Sequence, residues 1–554
     1  MNHASRLPEL SPAQVRAALL ARDEIALIDV REEDPFAQAH PLWAVQLSTT
    51  RIELDAPWRL PRRDVTIAVY DDGEGLAEPA ARRLQALGYT AVHLLSRDGR
   101  GSGLAVWREA GGELFRDVNV PSKSFGELVE HERHTPSLAA EEVKALIDAG
   151  TDMVVLDARR FDEYATMSIP TGTSVPGAEL ALRVRELAPN PATRVIVNCA
   201  GRTRSIIGTQ SLVNAGIPNP VAALRNGTIG WLLAGQTLDH GQQRRFQDRA
   251  SRPSAPNLAA AQAAAQALAD RAGARRIDAD MLAQWQADTT RTLYRWDVRT
   301  PEEYAAGHWP GFGSAPGGQL VQETDVNAAV RGARIVLCDG GATTDAVRAP
   351  MTAHWLAQMG WEVAWLTDAG PDRFTDAGPW QPAHTPLPEV PAIDADTLAA
   401  GLNAGDTWLL DLGPSAQYVR GHVPGAQWAL RSELPALLGR ALAQRPGGLR
   451  RLVLGCPQGR IAPFALADLQ ALPVLQGLDL AVLAGGQAAW VAAGRPLHTG
   501  EGSLLSPRID RYRRPYEGTD APREAMQGYL DWEFGLVAQL GRDGTHHFQV
   551  LPAA

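Results

Sequence analysis

The chain has 554 residues, which at about 100–200 residues per domain predicts three to five domains, each able to bury its own core. Hydrophobic residues make up 45% and charged residues 21%, which excludes wholesale disorder. A net charge of −10 argues against a nucleic-acid partner, and three cysteines exclude both a disulfide scaffold and a four-cysteine zinc site.

The first residues, MNHASRLPELSPAQV, contain no apolar signal core, and no stretch approaches about 18 uninterrupted apolar residues. The expectation is a soluble, cytoplasmic protein in a reducing compartment, with no membrane contact. From there one pattern repeats four times. A helical stretch opening on Ser or Asp comes first: SPAQVRAALL, SLAAEEVKALI, DADMLAQWQ and DADTLAAGL. An apolar strand then ends on Asp29, Asp157, Asp297 or Asp411. Seven residues later stand Phe36, Tyr164, Tyr304 and Tyr418, and eleven residues later His40, Ser168, His308 and His422. A second apolar strand (TIAVY, RVIVN, RIVLC, RLVLG) leads to Asp71, Cys199, Asp339 and Cys456, which lie 42, 42, 42 and 45 residues past the first aspartate. A helix, a third strand and an aromatic followed by glycine complete each unit, as in Trp231 with Gly235 and Trp490 with Gly494.

Helices alternating with short apolar strands predict an α/β fold with a mainly parallel sheet flanked by helices in each unit. The units run over 7–118, 135–240, 275–384 and 391–500. The segment 241–274, which holds RPSAP and then the Ala-rich, helix-like LAAAQAAAQALADRAG, reads as a linker that divides the chain into two halves of two units. Residues 501–554 form a C-terminal extension with a helix-like stretch, expected to dock on the fourth unit.

The chemistry falls on the loop after the second strand. Ligands of open α/β sheets sit beyond the strands' C-terminal ends. A helix starting just after Cys199 aims its amide groups at the loop, which favours negative charge and lowers a thiol's pKa. Arg202 and Arg204 add positive charge. The repeated histidines and aspartates, and Trp231 and Trp490, read as framework, and Cys338 as a buried structural thiol.

DVRTPEEYAAGHWPG (297–311), DLGPSAQYVRGHVPGA (411–426), CAGRTRS (199–205) and CPQGRIA (456–462), in fixed order and spacing, resemble the rhodanese family of sulfurtransferases over most of the chain. The resemblance implies four tandem rhodanese-like domains. It also implies transfer of sulfane sulfur from thiosulfate to a thiophilic acceptor, through a cysteine persulfide and without metal or cofactor. The acceptor would be cyanide, a small thiol or a protein thiol. Cys199 and Cys456 are the catalytic candidates. Gly201, Arg202, Thr203, Arg204, Ser205, Gly459 and Arg460 are the candidate substrate-binding residues. Units one and three, with Asp71 and Asp339 at the cysteine position, are expected to be inactive. Gly201 stands two residues past its cysteine where the family pattern has glycine three past; Gly459 keeps the family spacing. In the fourth unit Pro457 removes one amide donor and Gly413 replaces the arginine found at 31, 159 and 299. The alternatives are 3-mercaptopyruvate as donor and a non-catalytic sulfur-sensing or scaffold role. A phosphatase or arsenate reductase fits less well, because only four residues separate Cys199 from Arg204.

Overall fold

The computed structural model describes residues 6–97, 100–340, 346–443, 448–470, 472–518 and 520–553. Each unit holds one sheet, parallel apart from Arg100–Ser102 in the first. In the second unit the strands lie in the order Ser137–Leu138, Val221–Leu224, Arg194–Asn198, Met153–Asp157, Thr173–Ser174. The other units repeat that order, and the fourth adds Ser503–Leu504 at its edge. The central strands are buried along almost their whole length, as parallel strands covered on both faces must be. Each loop-bearing strand pairs in register with its aspartate strand: Asp29 opposite Tyr70, Asp157 opposite Asn198, Asp297 opposite Cys338, Asp411 opposite Gly455. The loop residue therefore emerges one position beyond the aspartate, at the C-terminal edge where ligands of such sheets bind.

The repeated residues do framework work. Asp29, Asp157 and Asp297 each hold the arginine two residues on, at 2.6, 2.8 and 2.6 Å, and that arginine also donates to a carbonyl eight residues further. His40, His308 and His422 stack on Phe36, Tyr304 and Tyr418 with centroids 4.0, 3.8 and 4.0 Å apart. Trp231 and Trp490 are buried and donate to the carbonyls of Thr237 and Pro496. Cys338 is fully buried among Ile277, Leu282 and Val336. Ser11, Asp278 and Asp394 cap their helices as expected, but in the second unit the cap position falls on Ala139, whose amide is taken by Glu142.

Two expectations about organisation are corrected. The chain does not divide near residue 250 into two self-contained halves. One continuous apolar core runs through units one and three, joining Ile28, Leu60 and Val69 to Leu320, Val330 and Trp361. Ile25 and Arg331 exchange backbone hydrogen bonds across that junction. The expected linker forms the helix Ala255–Arg271, whose Ala261, Ala265 and Leu268 pack with Ala181 and Leu182 of unit two and with Val347 and Met351 of unit three. The loop cysteines thus belong to units that flank a shared central body.

The second correction concerns the C-terminal extension. Only its first residues follow the fourth unit, where Leu505 donates to the Trp428 carbonyl. The chain then crosses to the others. Helix Arg523–Phe534 places Met526, Tyr529 and Leu530 on Ile229 of unit two, and Trp43 of unit one donates to the Thr545 carbonyl. The fixing point is Lys123, buried and 2.5 Å from Asp117, with the rings of Tyr516, Tyr529 and Trp532 at 5.4, 5.1 and 5.5 Å. A desolvated cation ringed by aromatic faces holds the extension by charge and by area together.

A chain ending at residue 245 should therefore expose the face of unit one that packs on unit three. The expected result is no single cooperative thermal transition and strong binding of a hydrophobic dye. A monomeric fragment that unfolds cooperatively would contradict the shared core.

Candidate active site

Cys199 follows the strand Arg194–Asn198 and precedes the helix Thr203–Asn214. It is 2% exposed, and its thiol lies 3.3 Å from the Ser205 hydroxyl, which itself donates to the Arg202 carbonyl at 2.8 Å. Arg204 forks onto Glu163 at 2.7 and 2.8 Å. Against the upward push of burial, the Arg204 charge holds the Glu163 carboxyl down at about 2. Burial pushes the Cys199 thiol up from its ordinary value, opposed by Arg204 and by hydrogen bonds from Ser205.

The remaining loop residues face other partners. Arg202 is taken up by Glu127, Glu130 and Asn226, with its guanidinium 4.3 Å from the Phe534 ring. It is a structural tie to helix Val120–Arg133 rather than a free anion donor. Thr203 packs on Gly126 of the same helix. Gly201 lies under the C-terminal extension: a Cβ there would stand 3.1 Å from the Tyr529 ring and 3.5 Å from Glu533 Oε2.

Cys456 is equally buried, at 2% exposure, but its surroundings differ. The Ile461 amide donates to its sulfur at 3.3 Å, and the amides of Gly459 and Ala462 also pull its pKa down, against burial and the Asp411 carboxylate. The sulfur sits at the base of a cavity of about 210 Å³ that Arg460, Gln458 and Arg51 also line. A Cβ on Gly413 would meet the Pro457 ring at 2.5 Å, so an arginine at 413 is incompatible with proline at 457. Asp411 thereby loses the partner that its counterparts have, and burial lifts its carboxyl to about 6. Gly227 and Gly486 occupy equivalent places after the third strand. Both have positive φ, and a Cβ on either would collide with the carbonyl of Cys199 or Cys456.

In units one and three a carboxylate occupies the loop and takes its amides. Asp71 accepts from Gly73, Leu76 and Ala77 at 3.1, 2.6 and 3.0 Å. Asp339 accepts from the amides of Val347, Arg348 and Ala349 and from Arg348 Nε at 2.8 Å. Arg348 also pairs with Glu303 as Arg204 does with Glu163, a correspondence hidden in the sequence by four extra residues between loop and helix. The loop is an anion cradle in both units, occupied by the protein's own side chain.

The Rhodanese-like domain family matches residues 11–98, 139–234 and 394–493. Among solved structures, the crystal structure of thiosulfate sulfurtransferase from Pseudomonas aeruginosa is 62% identical, covers 99% of this chain and 100% of its own, and superposes with a TM-score of 0.93. The BH2092 protein from Bacillus halodurans is 18% identical, covering 20% of this chain and 80% of its own with a TM-score of 0.18. A rhodanese-related protein from Thermoplasma volcanium is 19% identical, covering 20% and 98% with a TM-score of 0.17. A search of curated proteins returned no match. The chain belongs to the rhodanese family. Its third unit, outside the matched spans, repeats the sheet order of the others but carries the longer loop.

The sign of the cysteine shifts corrects the expectation that the loop lowers the thiol pKa. With burial dominant, the thiolate fraction near neutrality falls below that of an ordinary cysteine, so reactivity should keep climbing above about pH 8.5. Iodoacetamide alkylation of Cys199 and Cys456, followed by peptide mass spectrometry between about pH 6 and 10, should show that rise. A plateau reached near neutrality would mean that the cradle outweighs burial.

Proposed function

We propose that the chain is a thiosulfate sulfurtransferase that carries sulfane sulfur as a persulfide on Cys199 and Cys456. The observation that carries the reading is that the relative 62% identical over 99% of the chain is a thiosulfate sulfurtransferase. The two loops support it. Each presents a sulfur where units one and three present a hydrogen-bonded carboxylate, the geometry suited to a negatively charged group.

In the first half-reaction the cysteine thiolate attacks the outer sulfur of thiosulfate. A sulfur–sulfur bond forms, and the bond to the sulfonate sulfur breaks with its electron pair, releasing sulfite. The thiol proton has gone to solvent beforehand. In the second half-reaction cyanide or a thiolate attacks the terminal sulfur of the persulfide, and the cysteine leaves as thiolate. At Cys456 the amides of Gly459, Ile461 and Ala462 stabilise negative charge on the sulfur, and Arg460 lines the approach. At Cys199 that work falls to Ser205 and Arg204, while Gly201, Arg202 and Thr203 fix the shape of the loop. The small cavity above Cys456 suits cyanide or a compact thiol as acceptor. Three unpaired cysteines suit the reducing cytoplasm. Among the described residues no helix is long and apolar enough to cross a membrane.

The test is steady-state thiocyanate formation from thiosulfate and cyanide, with ping-pong kinetics expected. Cys199→Ser and Cys456→Ser should each lower turnover, and the double variant should lose roughly a hundredfold or more, because a hydroxyl is a poor nucleophile near neutrality. Cys338→Ser should keep most activity. Unchanged turnover in the folded double variant would defeat the reading.

A further inference from the structure

The second and fourth units do not solve the same electrostatic problem with the same residues. Unit two carries its own cation, Arg204, five positions past the loop cysteine; the residue five past Cys456 is Ile461. The fourth unit also lacks an arginine at 413, and Asp411, which accepts from the Gly413 amide but has no arginine on it, lies near its sulfur. A site that must draw in a dianion therefore has Arg460 of its own unit at the cavity but no counterpart of Arg204.

A second cation stands on another unit. The cavity over Cys456 is walled on one side by Arg51, Leu54 and Asp55 of unit one, and Pro382 and His384 of the connection from unit three close another. Arg51 precedes the helix Ile52–Arg59 and lines the same cavity as Cys456. Its placement is not left to chance. Arg431 of unit four forks onto Glu53 at 2.7 and 2.9 Å and donates to the Thr50 carbonyl at 3.2 Å, so the residues flanking Arg51 are tied to the unit that holds the cysteine. Leu54 lies in the core of unit four, and the Thr385 amide donates to the Glu53 carbonyl. Asp55 holds Arg51 Nε and Nη2 at 2.9 and 3.0 Å. The remaining guanidinium hydrogens stay free of that fork, and the side chain keeps 45% exposure at the cavity.

We propose that Arg51 of the first unit is an anion-binding residue of the Cys456 site, so that the fourth unit takes thiosulfate in a cavity completed by a unit that has no loop cysteine. This rests on the reading of Cys456 as a sulfur-carrying centre. Unit one, whose own cradle is filled by Asp71, then serves the reaction at its neighbour. Asp55 acts in the opposite sense: it orients Arg51 but places a carboxylate at the cavity wall, which weakens the site for a dianion.

The experiment uses the full-length chain and thiosulfate as the probe. Persulfide on the Cys456 peptide is quantified by mass spectrometry against thiosulfate concentration, with the Cys199 peptide read in the same samples. Arg51→Gln should raise the half-saturating thiosulfate for Cys456 by about three- to tenfold, a modest factor because the guanidinium is half exposed. Full loading should still be reached, and Cys199 loading should not move. Arg51→Lys should recover part of the loss, Asp55→Asn should shift half-saturation downward, and added salt should shrink the difference between Arg51→Gln and the parent. If Cys456 loads in the parent and Arg51→Gln leaves its half-saturation unchanged, the proposal is overturned while the centre stands. A parallel fall at Cys199 would also overturn it, by showing that Arg51 supports the fold. No sulfur on Cys456 in the parent would remove both the centre and the proposal.

Discussion

Backbone amides converging at the start of a helix, just past the end of a buried parallel strand, are the constraint on which this molecule is built. Such a cradle needs an acceptor, because unpaired buried amides are costly, and it favours a negative one. In units one and three the chain supplies it from within, through Asp71 and Asp339. In units two and four a cysteine sulfur stands there instead, which carries negative charge only when the thiol is deprotonated. The units thus differ in which side chain occupies the same site rather than in fold.

Units one and three also carry structural weight. They share one apolar core. Glu53 of unit one locks onto Arg431 of unit four, and Arg348 of unit three reaches Glu179 of unit two. Buried pairs of this kind are costly to break by removing one partner. The C-terminal extension closes the assembly, anchored by Lys123 and laid over the loop of Cys199. The two cysteines therefore meet solvent differently: one lies beneath a helix, the other opens into a cavity between units.

Much of this is legible in the sequence because it is local and repeated. The aspartate strand, the aromatic, the histidine and the loop residue recur at nearly constant spacing, so the sheets, their boundaries and both loop cysteines follow from the chain alone. What escapes is set by packing between residues hundreds of positions apart. Nothing in CAGRTRS marks Arg202 as bound to Glu127 on the preceding helix, or Gly201 as touching Tyr529. The pairing of unit one with unit three, rather than with its sequence neighbour, depends on complementary apolar faces that periodicity does not distinguish. The role of Arg51 has one faint signal, the isoleucine at 461 where unit two has an arginine, and that signal says only that a charge is missing.

On the proposed function, sulfur loads where a loop cysteine stands in the cradle and nowhere else. The most direct measurement is peptide mapping of the thiosulfate-treated, full-length protein by mass spectrometry under non-reducing conditions. The expected result is the added mass of one sulfur atom on the Cys199 and Cys456 peptides and none on the peptide of Cys338, which is buried among apolar side chains. Sulfur on Cys338 with both loop cysteines unmodified would contradict it.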